Sequence, residues 1–381
     1  MNQFLKVYDV ELITKGPLFV GSGEEIKKKE YFYDKKNKKI IIPKRHKLYS
    51  SLSSMRLENA FEEYIMDPND RRGLDVWMSN NKVNREVIKE CTNYRLDCGD
   101  VMLDDKKKSR MQLMACIKDA YGCPYVPGST LKGLLRTIIL TEFVKDNNSC
   151  VNEKKELLNW RLAPLYNKYD RNNDTKRIGK VTEKIEKKLL TIKEKDGVEL
   201  EKEYDLLSGL VVSDSDALST DDLTVCQKVD LNISGKENRL PLLRECIKPG
   251  TKIKFRITID NSVLKIDKEY IEKAIEHFNE MVNNILVSKF EFKDSRSSSL
   301  IWLGGGSGYI SMTITYQMLG DRSVDFVSKM FDERLFCNKK EKPKHINDRR
   351  YGVSPHTLKI TYYKGRKYQF GLCDIKLIET I

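Results

Sequence analysis

Residues 123–141 read CPYVPGSTLKGLLRTIILT. The predicted fold of the chain is organised around this stretch. A short extended run ends at Pro127 and Gly128. A helix is predicted to begin at once, with Ser129 or Thr130 capping amides that its first turn leaves free. Apolar residues then follow at the spacing of one buried helical stripe. They are Leu131, Leu134, Leu135, Ile138 and Ile139.

Another face of this helix carries Lys132 and Arg136, four residues apart, while Gly133 leaves the backbone between them bare. Free amides at a helix N-terminus, a small hydroxyl and two cations together form a site that attracts anions. The alternative is an ordinary core helix with two solvated cations. This stretch alone does not decide between the two.

The composition indicates a globular protein with room for two domains. The chain has 381 residues, of which 40% are hydrophobic and 33% are charged. No apolar run has the length needed to span a membrane, and the N-terminus alternates like a strand instead of forming a signal peptide. We therefore expect a cytoplasmic protein without a membrane partner.

Cysteine and histidine residues follow no disulfide or metal-binding pattern. The nine cysteines include no C-x-x-C pair. The four histidines, His46, His277, His345 and His356, are scattered along the chain. Reduced and buried thiols are therefore expected, and neither a metal site nor a cofactor is predicted.

Positive charge is concentrated at the two ends of the chain, whose formal net charge is +13. Residues 1–55 hold 12 Lys and Arg against 6 Asp and Glu, a net of +6. Residues 322–381 hold 14 against 7, a net of +7, so the long middle is neutral. If the two ends meet in the fold, they form a basic surface suited to a polyanion.

The order of predicted elements indicates an α+β fold. Residues 4–14, 251–260, 357–363 and 369–378 have the composition and alternation of strands, and residues 267–289 have the period of an amphipathic helix. Strands and helices do not alternate as regularly as in a parallel doubly wound sheet. The order favours two RRM-like (ferredoxin-like) units with antiparallel sheets.

We place the domain boundary near residue 205, between an N-terminal unit over 1–205 and a C-terminal unit over 206–381. Two polar segments, 67–110 and 151–205, are predicted to be insertions into the N-terminal unit. The second holds 14 Lys and Arg and 12 Asp and Glu with sparse, periodic apolar residues. That pattern is typical of solvated helices.

Two glycine patterns look like nucleotide-binding motifs without matching them. Gly128 and Gly133 have the spacing of a Walker loop, but Leu134 and Leu135 stand where that loop needs lysine and a hydroxyl. The run from Gly304 to Gly308 could suggest a dinucleotide-binding loop. Such a loop must be followed by a helix, whereas residues 309–316 alternate like a strand. Neither type of nucleotide binding is expected.

A late glycine-rich run consists of Gly304, Gly305, Gly306, Ser307 and Gly308, with Tyr309 after it. It is longer than a two-residue hairpin needs. Because glycines lack a Cβ and leave amides bare, we expect a flat loop between two strands. An extended polyanion such as RNA fits such a loop better than a compact metabolite does. A flexible hairpin turn is the alternative.

Catalytic residues are sparse, and only His46 lies in a suggestive position, directly after Lys44 and Arg45. A histidine base beside a cation could cleave RNA without a metal ion. Three functions therefore stay open. Two are a non-catalytic RNA-binding protein and a metal-independent endoribonuclease with His46 as general base. The third is a pure protein scaffold, which would leave the charge distribution and the glycine-rich run unexplained.

Five stretches together resemble the RAMP superfamily of CRISPR-associated proteins. They are YVPGSTLKGLLR (125–136), LVVSDS (210–215), RECIKPGTKIKF (244–255), LGGGSGY (303–309) and SPHTLK (354–359). With its length and its charged insertion, the chain looks most like the Csm-family subunit that caps the backbone of the type III-A effector complex. The resemblance is silent over 67–110 and 151–205.

The resemblance implies RRM-like units that bind the 3′ portion of a guide RNA and meet target RNA indirectly. It also implies contacts with neighbouring Csm backbone subunits and support for guide-RNA maturation by separate nucleases. The positions that match the family's RNA-binding motifs are Gly128, Ser129, Lys132, Gly133, Arg136, Gly304, Gly305, Gly306, Ser307, Gly308 and Tyr309. Ser22, in an early glycine turn, and Arg45 and His46 complete the candidate RNA-binding set.

In the effector complexes of the family that the chain resembles, the repeated backbone subunits cut target RNA with an aspartate in an early loop. Asp34 is the aspartate nearest to that position here, and it lies in a lysine-rich turn that does not match. Target cleavage is therefore not expected. The alternative within the resemblance is a metal-independent repeat-RNA endoribonuclease of the same superfamily, with His46 as general base.

Overall fold

The computed structural model describes residues 4–101, 112–146, 150–160, 171–195, 201–292, 297–335, 345 and 347–379. The strands are β1 (Leu5–Thr14), β2 (Gly21–Ile26), β3 (Phe32–Asp34), β4 (Lys39–Pro43), β5 (Thr92–Asp97), β6 (Leu113–Cys116), β7 (Thr191–Lys195), β8 (Glu201–Asp205), β9 (Leu210–Val212), β10 (Leu223–Asn232), β11 (Glu237–Ile247), β12 (Lys252–Asp260), β13 (Leu300–Trp302), β14 (Thr357–Tyr363), β15 (Arg366–Gln369) and β16 (Leu372–Glu379). The helices are α1 (Arg45–Ser54), α2 (Glu58–Met66), α3 (Leu74–Asn80), α4 (Arg85–Cys91), α5 (Gly128–Asp146), α6 (Val151–Trp160), α7 (Arg171–Leu190), α8 (Lys268–Ile285), α9 (Thr315–Leu319), α10 (Ser323–Leu335) and α11 (Asp348–Tyr351).

The first sheet has the strand order β13-β16-β1-β12-β9. β1 lies at its centre and is antiparallel to both neighbours, with Val10 opposite Phe255 on β12 and Leu377 on β16. Tyr8, Val10 and Leu12 are buried on the core face of β1, as the alternation in its sequence requires. The two ends of the chain therefore meet in one sheet, which is the condition for a shared basic surface.

Helices α5 and α8 pack against one another and against strands of the first sheet. The apolar stripe predicted for α5 is fully or nearly fully buried, and α8 buries Ile271, Ile275 and Phe278. In chain order, β1, α5, β9, β12, α8 and β16 form the β-α-β-β-α-β unit of a ferredoxin-like fold. The predicted α+β class is confirmed.

The predicted boundary near residue 205 does not separate two sheets. The ferredoxin-like unit takes β1 and α5 from before this residue and its other elements from after it. The second sheet, in the order β2-β6-β11-β10-β5-β4-β3, likewise mixes strands from both sides. A single core of buried side chains extends through both sheets. The two halves of the chain are therefore interleaved.

The second sheet does not repeat the β-α-β-β-α-β order. Its central strand β10 changes partners along its length. β10 pairs with β11 and, at Thr224, with β5, whereas β14 pairs with β10 only from Val229 to Asn232. A β-bulge between Gln227 and Val229 interrupts the ladder at the point of change. Such bulges bend a strand and increase its twist, which lets its two halves meet different neighbours.

A buried carboxylate ties three parts of the second sheet together. Glu245 on β11 accepts hydrogen bonds from the Tyr94 hydroxyl at 2.6 Å, the Cys116 amide at 2.9 Å and Lys118 Nζ at 2.5 Å. Its side chain has no solvent exposure, so the Lys118 cation offsets the cost of burying this charge. Burial and the adjacent Glu245 raise the pKa of Tyr94, which keeps its hydroxyl a donor.

Residues 67–101 are more regular than the predicted insertion. They form α3, α4 and β5, and β5 pairs with β4 in the second sheet. Together with α1 and α2, these helices cover Phe32 and Ile41 in a second, smaller core. The rest of the predicted segment, from residue 102 to 110, lies outside the described residues.

Residues 151–205 contain the predicted helices, α6 and α7, and a hairpin of β7 and β8 that was not predicted. Val181, Ile185 and Leu189 on α7 are buried, in agreement with their helical spacing. Within the described part of the chain, no helix combines the length and apolar character needed to cross a membrane.

The prediction of a strand over residues 309–316 is wrong. A 3₁₀ turn over Ile310–Met312 and the start of α9 occupy this segment. Ile310 and Ile314 are both buried, but Thr313 between them has extended dihedral angles, so the segment is a 3₁₀ turn followed by a short helix. Packing on the core overrides the strand propensity of the β-branched residues.

Replacing Leu12 with alanine tests the central position of β1. Leu12 has no solvent exposure, so the substitution should lower the free energy of unfolding by about 2–5 kcal/mol. Denaturant titration followed by circular dichroism measures this change. Lys254→Ala, at an exposed position of the facing strand β12, is the control and should change stability by less than about 0.5 kcal/mol. Equal effects of the two substitutions would contradict the arrangement.

Candidate nucleic-acid interface

The glycine-rich loop over residues 304–308 is a packed turn that rests on the segment between β1 and β2. The Gly305 amide donates a hydrogen bond to the Phe19 carbonyl at 2.8 Å, and a Cβ on Gly304 would lie only 2.4 Å from that oxygen. Gly304, Gly306 and Gly308 have φ values of +75°, +98° and +108°, which side chains disfavour. Gly304 is therefore required by both space and backbone conformation, and Gly306 and Gly308 are required by backbone conformation.

Arg244 on β11 lies under this loop. Its Nη1 donates a hydrogen bond to the Gly305 carbonyl at 3.0 Å, and a Cβ on Gly306 would fall 2.1 Å from the same nitrogen. The guanidinium lies over the rings of Phe19 and Phe370, 4.8 Å and 5.6 Å from their centres. Its Nε is buried without a hydrogen-bond partner, and burial lowers the pKa of the group.

Arg244 has no carboxylate within ion-pair distance among the described residues. Cation–π contacts hold it in place but leave its charge uncompensated. An uncompensated, half-buried guanidinium beside bare amides is well suited to a phosphate group, which it can bind with two parallel hydrogen bonds.

Lys228 on β10 and Lys359 on β14 extend the positive charge beside Arg244. Lys228 is half-buried; burial, and after it repulsion from Lys359, lowers the pKa of its ammonium. Lys359 makes an ion pair with Asp230 at 2.8 Å. We call Arg244, Lys228 and Lys359 the basic cluster.

The basic cluster adjoins the glycine-rich loop, since a Cβ on Gly308 would lie 3.6 Å from Lys359 Cγ. Among the described residues, the carboxylate that acts on Lys228 and pairs with Lys359 is that of Asp230. The sequence prediction missed these residues as a group because they come from three strands. The sequence signal that could have identified them is a cation at an inward-facing position of a mainly apolar strand. Arg244 within residues 242–246 (LLREC) is such a cation.

Ser307 and Tyr309 stabilise the loop in the structure. Ser307 is buried, and its hydroxyl donates a hydrogen bond to the Gly304 carbonyl at 3.0 Å. The ring of Tyr309 packs edge-on against Tyr316 and Phe331, with ring centres 6.2 Å and 5.2 Å away. Their part in RNA binding stays a prediction.

The start of α5 is less open to an anion than its sequence indicates. The Gly128 amide donates a hydrogen bond to the Asp214 carboxylate at 2.7 Å. A Cβ on Gly128 would lie 2.3 Å from the Val212 carbonyl, so this glycine is needed for packing on β9. Ser129 is exposed. A phosphate here would meet the negative charge of Asp214, an acid that the sequence prediction did not connect to this helix.

The two cations of α5 differ in their surroundings. Arg136 is held by ion pairs to Glu186 on α7 at 2.7 Å and to Asp205 at 3.7 Å. Lys132 is partly exposed and has no ion pair in the described part of the chain, and Gly133 is exposed beside it. Helix α5 packs against the 3₁₀ turn and α9 that follow the glycine-rich loop, so the two predicted motifs are neighbours in space.

The remaining candidates lie around β2 and α1. Ser22 is exposed and its hydroxyl accepts a hydrogen bond from the Glu24 amide at 3.1 Å. Arg45 makes exposed ion pairs with Glu24 and Glu30 at 3.0 Å and 3.3 Å. His46 is exposed, and no described residue forms a hydrogen bond with its ring. A general base is normally oriented by such a partner, so the geometry gives the endoribonuclease alternative no support.

Asp34 acts as a turn residue. Its carboxylate accepts hydrogen bonds from the Asn37 backbone amide at 3.1 Å and from the Asn37 side chain at 2.7 Å. The side-chain hydrogen bond lowers the pKa of Asp34. These hydrogen bonds close the turn between β3 and β4, in agreement with the turn predicted for this lysine-rich segment.

The outward face of the first sheet carries paired charges. Arg256 on β12 makes an ion pair with Asp9 on β1 at 3.3 Å, and Lys252 makes one with Glu11 at 3.0 Å. In an RRM, aromatic side chains on this face stack against bases. The charged pairs neutralise the face and leave no stacking platform across β1 and β12.

Two glycine substitutions distinguish a required glycine from a tolerated one. Gly304→Ala meets both a positive φ and the Phe19 carbonyl, so it should lower the free energy of unfolding by at least about 1–3 kcal/mol. Gly133→Ala, on an exposed face of α5 with nothing within 4 Å of the added Cβ, should raise it by about 0.5–1 kcal/mol. Thermal unfolding measures both. A neutral Gly304→Ala variant would show that the loop is not packed as described.

Comparisons with known proteins show which sequences and folds this chain is similar to. The chain is 28% identical over 406 residues to "CRISPR system Cms protein Csm5" of Mycobacterium tuberculosis, covering 99% of both chains. It is 29% identical over 331 residues to the protein of the same name from Streptococcus thermophilus, covering 84% of this chain and 83% of that one.

Among solved structures, its fold is similar to a chain of the "Csm-crRNA-target RNA ternary complex in type III-A CRISPR-Cas system". The TM-score is 0.64 at 16% identity, and the alignment covers 97% of this chain and 100% of that chain. The family model "RAMP superfamily" matches residues 11–310, a range that includes α5 and the glycine-rich loop and ends before β14, β15 and β16. The chain therefore belongs to the RAMP superfamily.

Proposed function

We propose that this chain is a non-catalytic, RNA-binding subunit of a type III-A CRISPR (Csm) ribonucleoprotein. In this role it binds the 3′ portion of the guide RNA and caps the backbone of the complex. Its similarity to proteins named Csm5 over nearly its whole length supports membership of such a complex. Its partners would be guide RNA, neighbouring Csm backbone subunits and, through them, target RNA and the nucleases that trim the guide.

The observation that carries the proposal is the basic cluster beside the glycine-rich loop. Arg244 donates to the loop and keeps a buried Nε without a partner, while Lys228 is half-buried beside two other cations. Cations held in this way raise the energy of the RNA-free protein. A polyanion that neutralises them recovers that energy on binding.

Backbone recognition fits this surface better than base recognition. The loop offers bare amides and the cluster offers positive charge, and both are suited to phosphates. The outward face of the first sheet carries ion pairs where an RRM carries stacking aromatics. The chain should therefore bind RNA with little dependence on base sequence, as a protein serving guides of varied sequence must.

Replacing Lys228 with methionine tests this proposal. RNA affinity should fall, and the slope of log affinity against log salt should decrease by about 1, because one phosphate contact is lost. Fluorescence anisotropy with a labelled RNA at several salt concentrations measures both. Lys254→Met on the exposed face of β12 is the matched control, and it should leave the slope unchanged. Unchanged affinity and slope in Lys228→Met would contradict the proposal.

The same variant should be more stable than the parent protein when RNA is absent. Burial and repulsion from Lys359 lower the pKa of Lys228, so its charge destabilises the folded state. This destabilisation is complete below the folded-state pKa and fades as the pH rises toward the pKa of the unfolded chain. At neutral pH, Lys228→Met should therefore raise the denaturation midpoint. A lower midpoint would mean that Lys228 supports the fold instead of binding RNA.

A further inference from the structure

A largely buried cluster of two histidines and one aspartate shares no residue with the basic cluster. His345 Nδ1 and Asp348 Oδ2 are 2.8 Å apart, and His356 Nδ1 and Asp348 Oδ1 are 2.6 Å apart. The two imidazole rings have centres 4.8 Å apart. One donor atom from each residue can be chosen so that all three lie within 4.8 Å of one another.

Asp348 is a buried carboxylate with no Lys or Arg partner among the described residues. Its side chain has no solvent exposure, and its only ion-pair partners among the described residues are the two histidines. A buried carboxylate without a permanent positive partner is costly. Two neutral imidazoles can supply hydrogen bonds, but a divalent cation between the three groups would also compensate the charge.

The ligand positions are fixed by backbone contacts. The His345 amide donates a hydrogen bond to Asp332 on α10 at 2.8 Å, and the His345 carbonyl accepts one from Ser328 on the same helix at 2.6 Å. Asp348 begins α11, and His356 directly precedes β14. A preorganised set of ligands from different elements is what a metal site requires.

We propose that His345, Asp348 and His356 bind one divalent transition-metal ion, with Zn²⁺ as the best match. Two imidazoles and one carboxylate are a donor set that Zn²⁺ accepts, at bond lengths of about 2.0–2.2 Å. Ligand atoms around a tetrahedral ion with these bonds are about 3.3–3.6 Å apart. This lies between the His–Asp hydrogen bonds of 2.6 and 2.8 Å and the 4.8 Å limit of the cluster, so the ion would replace the two hydrogen bonds. The set supplies no thiolate and too few oxygens for Ca²⁺.

The ion would fasten α10, α11 and the start of β14 to one another. The ring of Phe331 on α10 lies 5.3 Å from His345 and 5.2 Å from Tyr309, which follows the glycine-rich loop. The site would thus stabilise the packing behind the loop. The proposal rests on this cluster alone and does not depend on RNA binding.

Metal titration of the whole purified protein tests the site. Protein stripped with a chelator should bind one equivalent of Co²⁺, seen as d–d absorption in the visible range, and Zn²⁺ should displace it. One equivalent of Zn²⁺ should also raise the thermal midpoint by about 3 °C or more, reversibly with EDTA. Binding of well below one equivalent of Co²⁺, or an unchanged thermal midpoint with Zn²⁺, would by itself overturn the proposal.

His356→Gln removes one ligand and keeps a side chain that can donate to Asp348. It should lose the bound equivalent of Co²⁺ while retaining the parent's circular dichroism. His277→Gln is the matched control, because His277 contacts the buried Glu142 at 2.8 Å as a single histidine. It should bind one equivalent as before. Undiminished binding in His356→Gln would show that the ion, if present, is held elsewhere.

Discussion

The pairing of β1 with both β12 and β16 is the constraint on which the rest of the structure depends. It places the first strand of the chain between two strands from its second half. The remaining elements must then cross between the sheets, so residues before and after 205 share one core. It also joins the two basic ends of the chain. The glycine-rich loop, which leaves β13 at the edge of this sheet, is thereby brought onto the Phe19 segment.

The candidate interface carries two cations, Arg244 and Lys228, that form no ion pair with the described residues. Glu245 and Lys118 show how this protein treats a buried charge that serves stability: the pair is in contact and hydrogen-bonded. Arg244, the neighbour of Glu245 in sequence, has aromatic rings and a carbonyl instead. Glu245 and Arg244 therefore point to opposite sides of β11. Glu245 enters a network of hydrogen bonds that neutralises its charge, and Arg244 faces a surface suited to phosphates.

Local patterns predicted the elements well where one face was buried throughout, as in α5, α8 and β12. They failed at residues 309–316, where the alternating residues form a 3₁₀ turn and the start of α9, and Ile310 and Ile314 pack on the core. Sequence spacing could not reveal contacts across the chain: Asp214 at the start of α5, Arg136 paired to α7, or the basic cluster on three strands. His345 and His356 looked scattered for the same reason.

Photochemical cross-linking of bound RNA, followed by mass spectrometry of the peptides, tests the location of the interface most directly. Cross-links should concentrate in peptides that contain Lys228, Arg244, Lys359 and residues 303–309. Cross-links confined to the outward face of β1 and β12, or to residues 128–136 alone, would contradict an RNA path over the glycine-rich loop.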